Sequence, residues 1–217
     1  MSTVKTTAFA EVIASTLRNF TAQCWQWNQT PQFGSLVVVQ SGKMKLFGLV
    51  SDVQTGSTDP TRSPFPYQKT EDELMREQPQ IFEFLKTTFH IIVLGSEKDG
   101  STSFIVPEEP ARIHAFISPA NKTEISNFLT NSNFLPLLFA GTESAAQVDE
   151  LFLALLRTLT REQLLTTQLF EQFYQQLSLL YGNDYRRLKI LLQRITSHYG
   201  SVVAPLISGF TQDPIDR

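Results

Sequence analysis

Few side chains in this sequence are of the types that do chemistry, and their spacing keeps them apart. His90, His114 and His198 are the only histidines, no two of them at the spacing of a shared metal site, and Cys24 is the only cysteine. A metal needs several such ligands converging on one point, and a nucleophilic thiol needs a base beside it. Cys24, between Gln23 and Trp25, reads as a small buried residue, and His90, in the apolar run Phe89 to Gly95, as a hydrogen-bonded strand residue. Ser41-Gly42-Lys43-Met44 is the nearest approach to a phosphate-binding loop. It lacks the upstream glycine and the Ser or Thr after lysine that would hold magnesium, and it joins two apolar runs instead of opening a helix, so it reads as a hairpin turn. Glu71, Asp72, Glu73 and Glu77 offer carboxylates for hydrolysis or for a divalent ion. Acids in a first helical turn are also what the helix dipole favours, and a solvated helix start accounts for them. No catalytic residue, metal ligand or cofactor is therefore expected.

Two surfaces carry more. The loop from Thr55 to Tyr67 has three prolines and almost no periodicity, which marks an ordered loop. A proline-stiffened loop loses little entropy when a partner holds it, and arginine and aromatic residues are enriched at interface hot spots. Asp59, Pro60, Arg62, Phe65 and Tyr67 are thus the candidate partner-binding set. The alternative is internal: Asp59 capping a turn, Arg62 paired within the chain, the aromatics closing one end of the sheet. Near the C-terminus Arg186, Arg187, Lys189 and Arg194, with His198, lie opposite leucines and form a possible basic surface for phosphate or an acidic partner, or else a solvated helix end. Trp25, Trp27, Phe65 and Tyr67 could form a base-stacking platform. Without Lys or Arg beside them on those strands, packing or a partner pocket is the better account.

The elements that must position these residues follow from periodicity. Residues 8–27 fit a helix face at Phe9, Ile13, Leu17 and Phe20, or two strands that turn near Asn19; the strands are favoured because a hairpin follows at once. That hairpin is Ser35–Gln40 and Lys45–Val53, with Gly48 inside the second strand marking a bulge of the sort that bends small barrels closed. Thr70 followed by Glu73 is a capping box, opening a short helix that stops before Pro79. Phe89 to Gly95 is a buried strand turning at Lys98-Asp99-Gly100 into a partner over Thr102–Val106, and Ile113–Ile117 is a closing strand. From Asn121 onward only helices are indicated, the main ones over Gln147–Thr158, Arg161–Tyr181 with Gly182 as stop, and Asp184–Tyr199. The fold class expected is α+β: a small closed β-barrel over residues 8–118, an α-helical bundle over 119–200, and an apolar tail over 201–217.

Composition sets the remaining bounds. The chain has 217 residues, 41% hydrophobic, with a formal net charge of −3. Such a balance gives no bulk attraction to nucleic-acid backbones. No apolar run reaches the roughly 18 residues that span a bilayer, and MSTVKTTAFAEV lacks the apolar centre of a signal peptide. A single cysteine forms no internal disulfide, in keeping with a reducing compartment. The expectation is a cytoplasmic protein with no membrane contact.

The strings FTAQCW, PQFGSLVVVQ, LFGLVSDVQTGSTDPTRSPFPY and EDELMREQPQIFEFLKTTFHIIVLG resemble the HAS-barrel family, the small β-barrel at the N-terminus of HerA-type helicase translocases, related to the N-terminal barrel of ATP synthase subunits. The resemblance covers residues 8–117 and is carried most by Asp59-Pro60-x-Arg62 and Glu77-Gln78-Pro79-Gln80-Ile81. HerA-type proteins have a RecA-like ATPase after the barrel, and this chain has none. The resemblance therefore implies a stand-alone collar: a non-catalytic interaction or assembly protein whose barrel docks on a partner protein, a HerA-type or other ring ATPase or a nuclease. A small-barrel nucleic-acid-binding protein is the alternative, and an enzyme ranks third.

Overall fold

The alternation across residues 8–27 resolves into two strands, β1 (Ala10–Ser15) and β2 (Asn19–Cys24), paired antiparallel in the register Ala10↔Cys24. The helix-face spacing goes unused, and Ile13 and Leu17 stand exposed. In the computed structural model, residues 7–59, 61, 63–142 and 144–210 are described, with residues 132, 145 and 201–210 as backbone only. Pro60, Arg62 and the tail beyond residue 210 lie outside the described residues.

Five further strands follow: β3 (Leu36–Ser41), β4 (Met44–Ser57), β5 (Leu85–Lys98), β6 (Ser101–Ser103) and β7 (Phe116–Pro119). Their order is β2-β1-β7-β3-β4-β5, and β5 returns to pair with β2, so six antiparallel strands close into a barrel with β6 as an outer hairpin strand. Gly48 does mark a bulge: the β4–β5 register shifts between Phe47 and Gly48, and a Cβ on Gly48 would lie 2.3 Å from Ile91 Cγ2. β4 runs on to Ser57, three residues into the expected loop, while β6 is shorter and β7 later than the apolar residues suggest. Proline at 107 and 110 and the positive φ of 65° at His114 break the segment between them.

The apolar runs of β3 and β5 are nearly continuous because both sheet faces are covered there. Val37, Val39, Leu46, Phe89, Ile91 and Ile117 fill the barrel. Leu36, Phe47, Leu49, Ile92 and Leu94 point outward into a second core, built with the helices. These are α1 (Glu71–Glu77), inserted between β4 and β5, and then α2 (Lys122–Leu129), α3 (Leu135–Gly141), α4 (Ala145–Arg161), α5 (Thr167–Tyr181) and α6 (Tyr185–Phe210). Asn121 and Glu124 form a capping box at α2, and Gly182, at φ 55°, stops α5. The pattern of residues 161–181 is not one helix. Leu164 and Leu165 bond back to the Leu159 carbonyl and Gln163 takes φ 59°, so α5 starts only after its Thr166 cap. The apolar tail continues α6 as helix to Phe210, beyond a break at Tyr199.

A chain of rings ties the barrel wall to the helices. Phe47 stacks on Phe128 at 4.3 Å, Phe128 faces Phe134 at 6.2 Å, Phe134 meets Phe173 at 6.0 Å and Phe173 meets Phe152 at 5.6 Å. All five are buried. No helix of the described residues is long and apolar enough to cross a membrane.

Candidate functional site

Ser57 pairs with Leu85 at the far end of the β4–β5 ribbon, and the Thr58 amide donates to the Phe84 carbonyl at 2.7 Å. Everything between is an insertion clamped at its neck. Its helix α1 starts where the sequence says it must: Thr70 Oγ1 accepts from the Glu73 amide, and the Glu73 carboxylate accepts from the Thr70 amide at 2.8 Å. Lys69 and Glu77 form an ion pair along it. After α1, Pro79 opens a 3-10 helix, Pro79–Phe84, whose Phe82 stacks on Trp27 at 5.3 Å and 17°. The Trp27 carbonyl in turn accepts from Thr87 Oγ1 of β5. The insertion is thus braced against the barrel from both sides.

Between its arms lies an open groove of about 800 Å³, lined chiefly by Pro64, Phe65, Tyr67, Leu74, Phe82 and Phe84. Phe65 is 69% exposed, Phe84 57% and Tyr67 38%. Phe65 and Tyr67 meet edge to face at 5.4 Å. Solvent exposure of three large rings in one groove is the kind of patch that marks an interaction surface. Asp59 sits at the rim and takes the local role: its Oδ1 accepts from the Thr61 hydroxyl at 2.7 Å and the Thr61 amide at 2.9 Å, which holds its carboxyl below the usual range. The candidate set thus splits. Asp59 shapes a turn, Phe65 and Tyr67 face the groove, and Pro60 and Arg62 lie outside the described residues.

Sequence reasoning missed Phe84 and Leu74, which complete the groove. In the 3-10 helix Phe82 is half-buried against Trp27, whereas Phe84 stands exposed.

The other candidates disperse. Trp25 donates from Nε1 to Glu11 at 2.9 Å and packs edge-on against Phe116, whereas Trp27 stacks on Phe82 of the insertion. His90 shares a hydrogen bond with Thr21 Oγ1 at 3.1 Å, and His114 lies 3.1 Å from Glu11. Among the described residues no group of His, Cys, Asp and Glu is placed to hold a metal. Ser41-Gly42 is a tight turn between β3 and β4, with Gly42 at φ 63° and Ser41 Oγ accepting from the Arg112 amide. On α6, Arg187 grips Asp149 of α4 with two nitrogens, at 2.8 and 3.1 Å, and lies 4.8 Å over the Tyr181 ring. Burial and the Asp149 hydrogen bond push the Tyr181 phenol up. Arg194 pairs with Glu150 at 2.7 Å, leaving Arg186 and Lys189 as the exposed cations of that group.

Cys24 is 4% exposed inside the barrel, and burial pushes its thiol up to about 11. Only the thiolate reacts, so alkylation at pH 8 is expected to run at least about 100-fold slower than for an ordinary free cysteine, whose pKa is near 8.5. Iodoacetamide labelling followed by mass spectrometry reads this directly. Labelling at the rate of the unfolded chain would mean the barrel interior is open.

No protein-family model matches the chain, and none of the curated proteins compared with it is similar to it.

Proposed function

We propose that this is a non-catalytic, cytoplasmic interaction or assembly protein that docks on a partner protein through the insertion of its barrel. The single observation behind this is the braced groove with Phe65, Tyr67 and Phe84 exposed along it. Rings held on a fixed frame bind without a large ordering cost, and aromatic anchors supply most of the energy of protein interfaces. The closed six-stranded barrel at the N-terminus supports the HAS-barrel reading of residues 8–117. On that reading the protein is a collar without its motor, its partner a ring ATPase or a nuclease, and residues 119–200 a helical bundle that stiffens the barrel wall. Among the described residues, none of α2–α6 lines the groove, which leaves that wall free of the docking role.

The nucleic-acid reading is weaker because Arg187 and Arg194 are already held by Asp149 and Glu150. Affinity purification of the tagged protein from its native cells, with and without nuclease treatment, separates the two. Recovery of a ring ATPase or nuclease that survives nuclease treatment and falls at least about tenfold in F65A/Y67A is the expected result. Co-purifying proteins that vanish with nuclease, and binding lost in R186A/K189A instead, would make the barrel a nucleic-acid module.

A further inference from the structure

Charge is unevenly divided along this chain. Residues 57–85 hold six acids, Asp59, Glu71, Asp72, Glu73, Glu77 and Glu83, against three bases, Arg62, Lys69 and Arg76. That excess of −3 equals the net charge of the whole protein, so the remainder is balanced. Part of the acidity is consumed locally. Glu77 is paired with Lys69, Glu73 closes the capping box and Asp59 holds Thr61. Glu71, Asp72 and Glu83 are exposed, and among the described residues no cation lies within 4 Å of them.

None of these three carboxylates lines the groove, but each lies within three positions in the chain of a residue that does. Glu71 precedes the lining residue Leu74 by three positions on α1, which places the two on one face. Glu83 stands between Phe82 and Phe84, both lining residues. The helix dipole accounts for acids at 71 and 72, but Glu83 lies in the 3-10 helix after α1 and has no such reason to be there. An apolar groove with three exposed rings, carried on an insertion whose net charge is −3, is complementary to an apolar side chain flanked by cations. Arginine satisfies both parts at once, because its guanidinium stacks on aromatic faces and bonds carboxylates.

Building on the docking function proposed above, we infer that the groove takes a short peptide segment of the partner in which a large apolar residue is flanked by Arg or Lys. The volume of about 800 Å³ accommodates a few side chains, not a domain. Phosphate backbones and acidic peptides are repelled by the same net charge.

The test uses the full chain and a phage-displayed library of random 12-residue peptides, followed by fluorescence anisotropy of the peptides that enrich. Sequences pairing Leu, Phe or Trp with Arg or Lys are expected, with affinity falling at least about tenfold in E71K/D72K/E83K and again when salt is raised from 50 to 300 mM. E108K/E109K, which reverses charge on a loop away from the groove, should leave affinity within about twofold. If the triple reversal unfolds the chain, E71Q/D72N/E83Q gives the same ordering with a smaller loss. Enriched sequences that are neutral or acidic yet depend on Phe65 and Tyr67 overturn the cationic assignment and leave the docking surface standing. Peptides indifferent to both sets of variants overturn the docking surface too. Failure to enrich any groove-dependent sequence overturns the peptide inference, while the purification experiment decides the docking function separately.

Discussion

Replacing Phe128 by alanine is expected to destabilise the protein by about 3–5 kcal/mol, the range for removing a fully buried ring. Phe128 is 1% exposed and sits at the centre of the second core. Its ring stacks on Phe47 of β4 at 4.3 Å and 17° and leans on Phe104 at 5.1 Å. It also covers Gly95, where a Cβ would lie only 3.1 Å from Phe128 Cζ and 2.6 Å from the Ser103 carbonyl oxygen. A closed barrel wall is a poor candidate for collapse into the space left behind, so the cavity term should be near its full value. For a chain of this size the loss converts to a fall in Tm of roughly 6–20 °C. The probes matter as much as the magnitude. Trp25 and Trp27 report the barrel side by fluorescence, and far-UV circular dichroism reports the helices. Because Leu36, Phe47, Leu49, Ile92 and Leu94 need the helices to bury them, both signals should move together in the variant as in the parent. A fluorescence transition that stays in place while the helical signal shifts would show two independent folding units.

The comparison between sequence and structure separates by the range of the interactions involved. Signals carried within a few residues were legible: the Ser41-Gly42 turn, the Gly48 bulge, the Thr70–Glu73 box and the Gly182 stop all rest on local sterics and capping. Closure was not. Nothing in residues 10–24 announces that β1 pairs with β7 or that Phe20 lies opposite Ile91, because strand partners far apart in sequence leave no mark in either strand alone. The basic stripe on α6 shows the same limit on charge. Arg187 and Arg194 read as solvent-facing until α4 brings Asp149 and Glu150 to them. At the groove, Phe65 and Tyr67 were found through their proline-rich loop, whereas Phe84 resembles one more core residue of an apolar string. Its exposure depends on the pitch of the 3-10 helix after Pro79, which the residue types alone do not set.

The second large effect concerns Gly34, where the barrel closely approaches α4. Gly34 has φ 75°, and a Cβ built on it would fall 2.2 Å from Ala154 Cβ and 3.3 Å from two backbone atoms of α4. The turn around it is fixed from both sides. Its amide donates to the Val50 carbonyl at 2.8 Å, while Arg157 of α4 donates to the Phe33 carbonyl at 3.0 Å and Arg161 to Gln32 Oε1 at 2.9 Å. Alanine at 34 therefore meets two separate penalties. The left-handed backbone costs an L-residue about 1–2 kcal/mol, and forcing a methyl group against a packed helix costs about 1–3 kcal/mol more, so G34A should lose about 2–5 kcal/mol in urea unfolding. The two penalties separate in a double-mutant cycle. A154G removes the opposing methyl group, so G34A/A154G should recover the steric part and retain the backbone part, giving a coupling of at least about 1 kcal/mol between the positions. Equal losses for G34A with and without A154G would mean that the turn and α4 are not in contact. A negligible loss in G34A would mean that the backbone at 34 is not left-handed, and with that the seat of the barrel on α4 would have to be rebuilt.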